Sequence, residues 1–223
     1  MRRRAGAAVR VLAVSIRGAV PSFPRSAMAI RHILLQRYES QPWRNGLGIS
    51  RTIACGRDPD GTIAWSLSLT TIGADCPFSD YRGYDRVFTP VAGSGVTLAI
   101  DGRAPVRLDM VDRPFGFSGD ACVECRLIGG PVDVVNAMVL RTWGVQTVTV
   151  LHGHTPHYPV TAPIVLLHAL HGPAEVTIAK RSCLLGTGDT LRLDDEVGTN
   201  AAITAGPATA IYAVAFRPIA PDR

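Results

Sequence analysis

The residues of this sequence best suited to chemistry gather in Pro42-Trp43-Arg44-Asn45-Gly46-Leu47-Gly48-Ile49-Ser50-Arg51-Thr52. An indole, two guanidinium groups, a side-chain amide and two glycines crowd a span too short and too polar to be core filling. Gly46 and Gly48 permit positive φ or a close approach to a ligand, while Trp43 offers a flat apolar face and Asn45 a donor and an acceptor. The mixture suits a small polar ligand, and it reads equally as a Gly-rich entry into a strand with Trp43 capping the core. Three other groupings carry less. His152-Gly153-His154-Thr155-Pro156-His157 holds imidazoles enough for zinc or iron if the loop folded back. No carboxylate stands at a matching offset, so the cluster reads as a solvated connection between halves. His168 and His171 alternate at the end of an apolar run and read as hydrogen-bonded structural histidines. Cys122-Val123-Glu124-Cys125 has the gap of redox and zinc motifs, but in a strand residues three apart point to opposite faces, and no second pair completes a zinc site. Packing is the better reading there. No Ser-His-Asp order or phosphate loop is present, and Gly93-Ser94-Gly95 lacks the following helix that a dinucleotide fingerprint needs.

The elements that must position these residues are strands. Short apolar or alternating runs recur from Ile30 onward, among them Ser50–Ala54, Ile63–Thr71, Arg86–Ala92, Val96–Ile100, Cys122–Ile128, Val134–Leu140, Val145–Leu151, Ile164–Leu170, Ala174–Ala179 and Thr209–Phe216. Turn signals such as Asp58-Pro59-Asp60-Gly61, Asp101-Gly102 and Gly129-Gly130-Pro131 separate them. In Trp65-Ser66-Leu67-Ser68-Leu69-Thr70 the period of two puts Trp65, Leu67 and Leu69 on one face. No segment shows three capped helical turns, so the fold is expected to be all-β, a sandwich or barrel. Val96–Gly102 followed by Phe117-Ser118-Gly119-Asp120 parallels Ala174–Ile178 followed by Gly186-Thr187-Gly188-Asp189, which suggests two related β units.

The totals narrow the function. At 223 residues, with 47% hydrophobic and 18% charged, the chain is that of a folded protein, and no window of 18 uninterrupted apolar residues suggests a membrane span. The net charge of +5 is concentrated at the start: seven arginines lie within the first 31 residues, leaving 16 basic against 18 acidic residues elsewhere. The body therefore carries no basic stripe, and nucleic acid is rejected as a partner. Five scattered cysteines fit a reducing compartment, hence the cytoplasm. Residues 1–27 read as a disordered leader or as a start assigned too early, with Met28 opening the protein.

Several blocks together resemble the HutD/Ves family of cupin-like proteins. They are Pro42-Trp43-Arg44-Asn45-Gly46, Trp65-Ser66-Leu67-Ser68, Cys76-Pro77-Phe78-Ser79, Arg86, Gly93 to Gly102, Pro114 to Asp120, and Gly130 to Met138 with Arg141. Leu47 stands where the family commonly has a further glycine. The resemblance covers residues 30–216 and implies a bicupin-like double-stranded β-helix of the jelly-roll kind, with two small β-barrel halves at residues 28–143 and 144–223. It also implies an association with histidine utilisation or stress responses. A metal-binding cupin carries His-x-His, then a Glu, then a Gly seven residues beyond the Glu. Counting back seven from Gly93 lands on Arg86, and the histidine places fall around Ser79 to Arg82. A guanidinium cannot ligate a cation, so this half is expected to hold no metal, and no cofactor is implied. An interior Arg86 must be paired, either with a protein carboxylate such as Asp85, Asp120 or Asp133, or with an anionic ligand.

The resulting expectation is a protein that binds a small carboxylate and modulates histidine breakdown or a stress response. Its ligand-binding residues would be Trp43, Asn45, Gly46, Arg86, Asp120, Asn136 and Arg141. The alternative is a metal-independent enzyme acting on a small carboxylic acid, with Asp120 or Asp133 as base. Exposed β edges fit a homodimer.

Overall fold

The computed structural model describes residues 29–43, 48–109 and 112–219. The readings made for residues 1–27, Asn45 and Gly46 fall outside the described residues. Strands dominate, as the period-two runs predict. In chain order they are β1 (Ala29–Ile33), β2 (Glu39–Pro42), β3 (Gly48–Arg57), β4 (Ile63–Ile72), β5 (Cys76–Pro77), β6 (Tyr84–Ala92), β7 (Val96–Ile100), β8 (Val106–Leu108), β9 (Phe115–Ser118), β10 (Val123–Leu127) and β11 (Val132–Leu140). The second part continues with β12 (Gly144–His152), β13 (Thr155–Pro159), β14 (Ile164–His171), β15 (Ala174–Ile178), β16 (Arg181–Leu185), β17 (Thr190–Asp194), β18 (Asn200–Ala205) and β19 (Ala210–Pro218). Between β1 and β2 lies a 3-10 turn, Leu35–Arg37. Among the described residues no helix is long and apolar enough to cross a membrane.

The duplication hinted at in the sequence extends, at the level of strand order, over eight strands of each half, with β1, β2 and β3 outside it. One half has sheets β2-β3-β4-β11-β6-β9 and β5-β10-β7-β8; the other has β1-β17-β14-β19-β12 and β13-β18-β15-β16. Raising each label of β4-β11-β6-β9 by eight gives β12-β19-β14-β17, and β5-β10-β7-β8 likewise gives β13-β18-β15-β16. The architecture is thus bicupin-like, each half being two facing sheets whose hydrogen bonding does not close into a continuous barrel. The match of Val96–Ile100 with Ala174–Ile178 holds, since β7 and β15 are counterparts. The Gly-Asp part does not: Gly119-Asp120 follows β9, whereas Gly188-Asp189 precedes β17, the counterpart of β9. Gly-Asp is turn chemistry that recurs wherever a strand ends, so it aligns without marking equivalence.

The first strand crosses over. Although residues 28–143 were expected to form the first half, β1 pairs along the edge of β17 from Ala29↔Asp194 to Ile33↔Thr190. Ile30 packs on the interior of the second half and Ile33 on the core between the halves, so both apolar residues of this short strand are used. The histidine-bearing stretch after His152, expected to be a loop between halves, lies within the second half, where Thr155–Pro159 forms an edge strand. Its two prolines are tolerated there because an edge leaves one row of backbone donors unpaired.

The largest core lies between the halves. Trp65, Leu67 and Leu69 do share a face, and it packs against Leu166, Tyr212, Val214 and Phe216 of the five-stranded sheet. The Trp65 and Phe216 rings stack at 4.8 Å between centroids. Gly56, opposite Trp65 in the β3–β4 register, leaves the space that the indole fills. With the apolar face of β4 turned outward to the other half, its polar face turns inward. The interior of the second half is filled by Val165, Leu167, Leu185, Leu191, Ile203 and Ile211. The interior of the first half is filled only in part, around Phe88, Val96, Leu98 and Val134.

Candidate functional site

The unfilled part of the first half is a cavity of about 760 Å³. Its floor is the inner face of the six-stranded sheet. There β3 contributes Ser50 and Thr52, β4 contributes Ser66, Ser68 and Thr70, β11 contributes Asn136 and Met138, and β6 contributes Arg86 and Phe88. Every second residue appears because side chains alternate across a strand. Trp43, Phe78 and Tyr81 supply walls.

Arg86 is the centre of the site. Its side chain comes from β6, the strand next to the β9 edge of the six-stranded sheet, and is 8% exposed, yet among the described residues no carboxylate pairs with it. Nη2 donates to Asn136 Oδ1 at 3.4 Å, and the buried Nε has no partner. Three rings surround the guanidinium, with its carbon 5.0 Å from the centroid of Phe117, 5.1 Å from Tyr81 and 5.3 Å from Phe78. Ring faces attract a cation but accept no strong hydrogen bonds, so they leave the Nε donor unsatisfied. Burial lowers the pKa of Arg86 to about 10, from an ordinary value of 12.5. It remains a cation at neutral pH.

The internal ion pair weighed for Arg86 is not formed. Asp85 and Asp120 both bind Arg141, and Asp133 accepts a hydrogen bond from Thr71 Oγ1 at 2.5 Å. Arg141 reaches Asp85 Oδ1 at 3.0 Å and the Tyr84 carbonyl at 2.8 Å, and also binds Asp120 Oδ2. The Gly83 N–H, Ser118 and Arg141 together hold the Asp120 carboxyl down at about 2. Asp120 and Arg141 thus form an exposed network that ties the ends of β6, β9 and β11, and neither lines the cavity. Of the expected residues, the structure brings together Trp43, Arg86 and Asn136.

Trp43 is fixed by its own contacts. Nε1 donates to Ser50 Oγ at 2.9 Å, and Ser50 Oγ in turn shares a 3.1 Å hydrogen bond with Thr70 Oγ1. The glycine this arrangement requires is Gly48. A Cβ there would come within 2.8 Å of the Trp43 ring and of the Thr71 carbonyl.

Sequence reasoning missed the cage of Phe78, Tyr81 and Phe117 and the hydroxyls of the floor. The signals were present: Phe78 and Phe117 fall in blocks that carried the family resemblance. Ser66, Ser68 and Thr70 are the polar half of the alternation whose apolar half was noted.

The other candidates are structural. His168 is buried, with Nδ1 2.9 Å from Thr190 Oγ1, which lies 2.7 Å from Tyr38 Oη; burial lowers the imidazole pKa to about 4. His171 pairs with Asp112 at 3.3 Å. His152, His154 and His157 are exposed, and among the described residues no three His, Cys, Asp or Glu side chains converge on a metal position. Cys125 is buried and Cys122 exposed, as opposite faces require, and burial raises the Cys125 thiol to about 12, far from a reactive thiolate.

Residues 35–211 match the HutD family. An uncharacterized 21.2 kDa protein from the hutC 3' region of Pseudomonas putida is 34% identical over 162 residues, covering 71% of this chain and 84% of that one. Protein Ves of Citrobacter koseri is 32% identical over 100 residues, 44% of this chain and 52% of that protein. The structure of HutD from Pseudomonas fluorescens SBW25, formate condition, superposes with a TM-score of 0.73 at 29% identity, covering 85% of this chain and all of that one.

Proposed function

Since the chain belongs to the HutD family, we propose that it is a cytoplasmic binding protein for a small carboxylate, which it holds at Arg86, and that through this binding it modulates histidine catabolism or a stress response. The single observation that carries the ligand class is the guanidinium itself: buried, charged, lining the cavity, and paired with no carboxylate among the described residues. A buried cation costs free energy unless an anion meets it, and a carboxylate matches the two-pronged N–H edge of arginine. Asn136 accepts from Arg86 through Oδ1, which leaves its Nδ2 free to donate to the same carboxylate. Trp43, held by Ser50, supplies an apolar wall of the same cavity.

The pathway reading draws on the hutC neighbourhood of the Pseudomonas putida relative, and the ligand reading is in keeping with the formate condition of the HutD structure. The enzymatic alternative finds no support in its two expected bases, because Asp120 and Asp133 do not line the cavity. The test is a thermal-shift titration with formate, acetate, urocanate and formylglutamate, repeated on Arg86→Met. An acid at about 100 times its dissociation constant adds ~2.7 kcal/mol to native stability. A shift present in the wild type and lost in the variant supports the reading; shifts indifferent to Arg86 refute it.

A further inference from the structure

The floor of the cavity is divided chemically. Around the guanidinium, on β6 and β11, it includes the apolar residues Phe88, Met138 and Val134. Farther away, on β4, β3 and β2, it turns mostly polar: Ser66, Ser68, Thr70, Ser50, Thr52 and Gln41 line it with the oppositely charged Glu39 and Arg57, whose charges offset one another, and Ile63 and Ile72 stand at the two ends of β4. The register places these groups in rows across the sheet. Arg86 stands opposite Met138, Met138 opposite Ser66, and Ser66 opposite Cys55. The next row runs Phe88, Asn136, Ser68, Thr52 and Glu39. At about 4.8 Å per strand, Ser66 lies roughly 10 Å from Arg86 along the sheet and Cys55 roughly 14 Å. Formate or acetate at Arg86 would leave that stretch unfilled, whereas cavities of this size accommodate considerably larger molecules.

The hydroxyls are also unspent. Ser66 and Thr52 have no hydrogen-bond partner among the described residues, and Ser68 Oγ makes only a 3.5 Å contact with the Asn136 carbonyl. Each can donate and accept. An aliphatic chain laid over them would displace water and return no hydrogen bond, whereas a hydroxyl or amide chain would replace what the water gave.

We propose that the acid held at Arg86 carries a neutral hydrogen-bonding tail, of hydroxyl or amide groups, which extends across β4 and β3 over Ser66, Ser68 and Thr52. The inference rests on the reading of Arg86 as the carboxylate anchor and adds the chemistry of the rest of the ligand. Calorimetric titration of the full chain with four acids tests it: acetate without a tail, hexanoate with an apolar tail, gluconate with a hydroxyl tail and N-acetyl-4-aminobutyrate with an amide tail. One or both polar-tailed acids bind at least tenfold more tightly than hexanoate. In Ser66→Ala/Ser68→Ala, checked for folding by circular dichroism and melting, that ratio falls to threefold or less. Thr52→Val provides a second, milder variant with the same direction of effect. Hexanoate matching both polar acids, or a ratio untouched by the serine and threonine variants, overturns the tail while leaving an Arg86-dependent affinity for acetate intact. Failure of every acid to bind, or binding indifferent to Arg86→Met, overturns the anchor and the tail with it.

Discussion

Replacing Arg86 by methionine separates a ligand-binding arginine from a structural one. Lowering a guanidinium from 12.5 to about 10 corresponds to roughly 3 kcal/mol against the charged form. The three ring faces within 5.3 Å return part of this, about 0.5–1 kcal/mol each. Methionine keeps the side-chain length and the ring contacts, with a sulfur–aromatic attraction of about 0.3–1.5 kcal/mol, and removes the buried charge. The loss of the long 3.4 Å contact to Asn136 subtracts little. On balance the ligand-free variant is expected to be more stable by about 1 kcal/mol, a rise of roughly 2–4 °C in midpoint for a chain of this size. Its affinity for acids falls by about a hundredfold, since a charged hydrogen-bonded partner contributes roughly 1.5–3 kcal/mol. Differential scanning calorimetry with and without ligand reads both quantities. A ligand-free variant destabilised by more than about 1 kcal/mol would show that Arg86 serves the fold, and the argument from its unpaired charge would fail.

Three further outcomes follow from the same geometry. Asn136→Asp sets a carboxylate beside the guanidinium at the position now 3.4 Å away; the internal pair should preserve or raise stability while competing with the ligand, so titration that finds acid affinity unchanged refutes the site. Gly48→Ala drives a methyl against the Trp43 ring and the Thr71 carbonyl at 2.8 Å; it should cost about 1–3 kcal/mol in urea denaturation and shift tryptophan fluorescence as the indole leaves its place, and wild-type behaviour in both contradicts the packing described. Burial holds the His168 imidazole at about 4, below its ordinary 6.5, so between those values the unfolded chain binds a proton that the native protein excludes. Stability is then full above pH 6.5 and declines as pH falls toward 4, by roughly 3 kcal/mol in all. His168→Asn should flatten that limb, and equal wild-type stability at pH 4.5 and 7 in urea melts would disprove the burial argument.

The all-β class and the two related units were legible in the residues, because each depends on spacing along a single run or motif. Period two in Trp65–Thr70 assigned faces correctly. The crossover of β1 was not legible: two isoleucines in a five-residue strand fit either half, and only the open edge of β17 decides between them. The repeat was visible at β7 and β15 and misaligned at Gly-Asp, since turn residues answer to local backbone geometry rather than to position in a fold.

Alternation in the sequence determined that Ser66, Ser68 and Thr70 would share a face, and the family resemblance it carries implied that Arg86 would be an interior cation. Only the tertiary structure decided that Asp85 and Asp120 are spent on Arg141, and that the polar face of β4 looks into a cavity while its apolar face meets the other half. Alternation fixes which side chains lie together but not which side meets solvent, a neighbouring sheet or a ligand. Charge pairing is settled over a few ångströms between residues as far apart in the chain as Asp85 and Arg141, where no periodicity reaches.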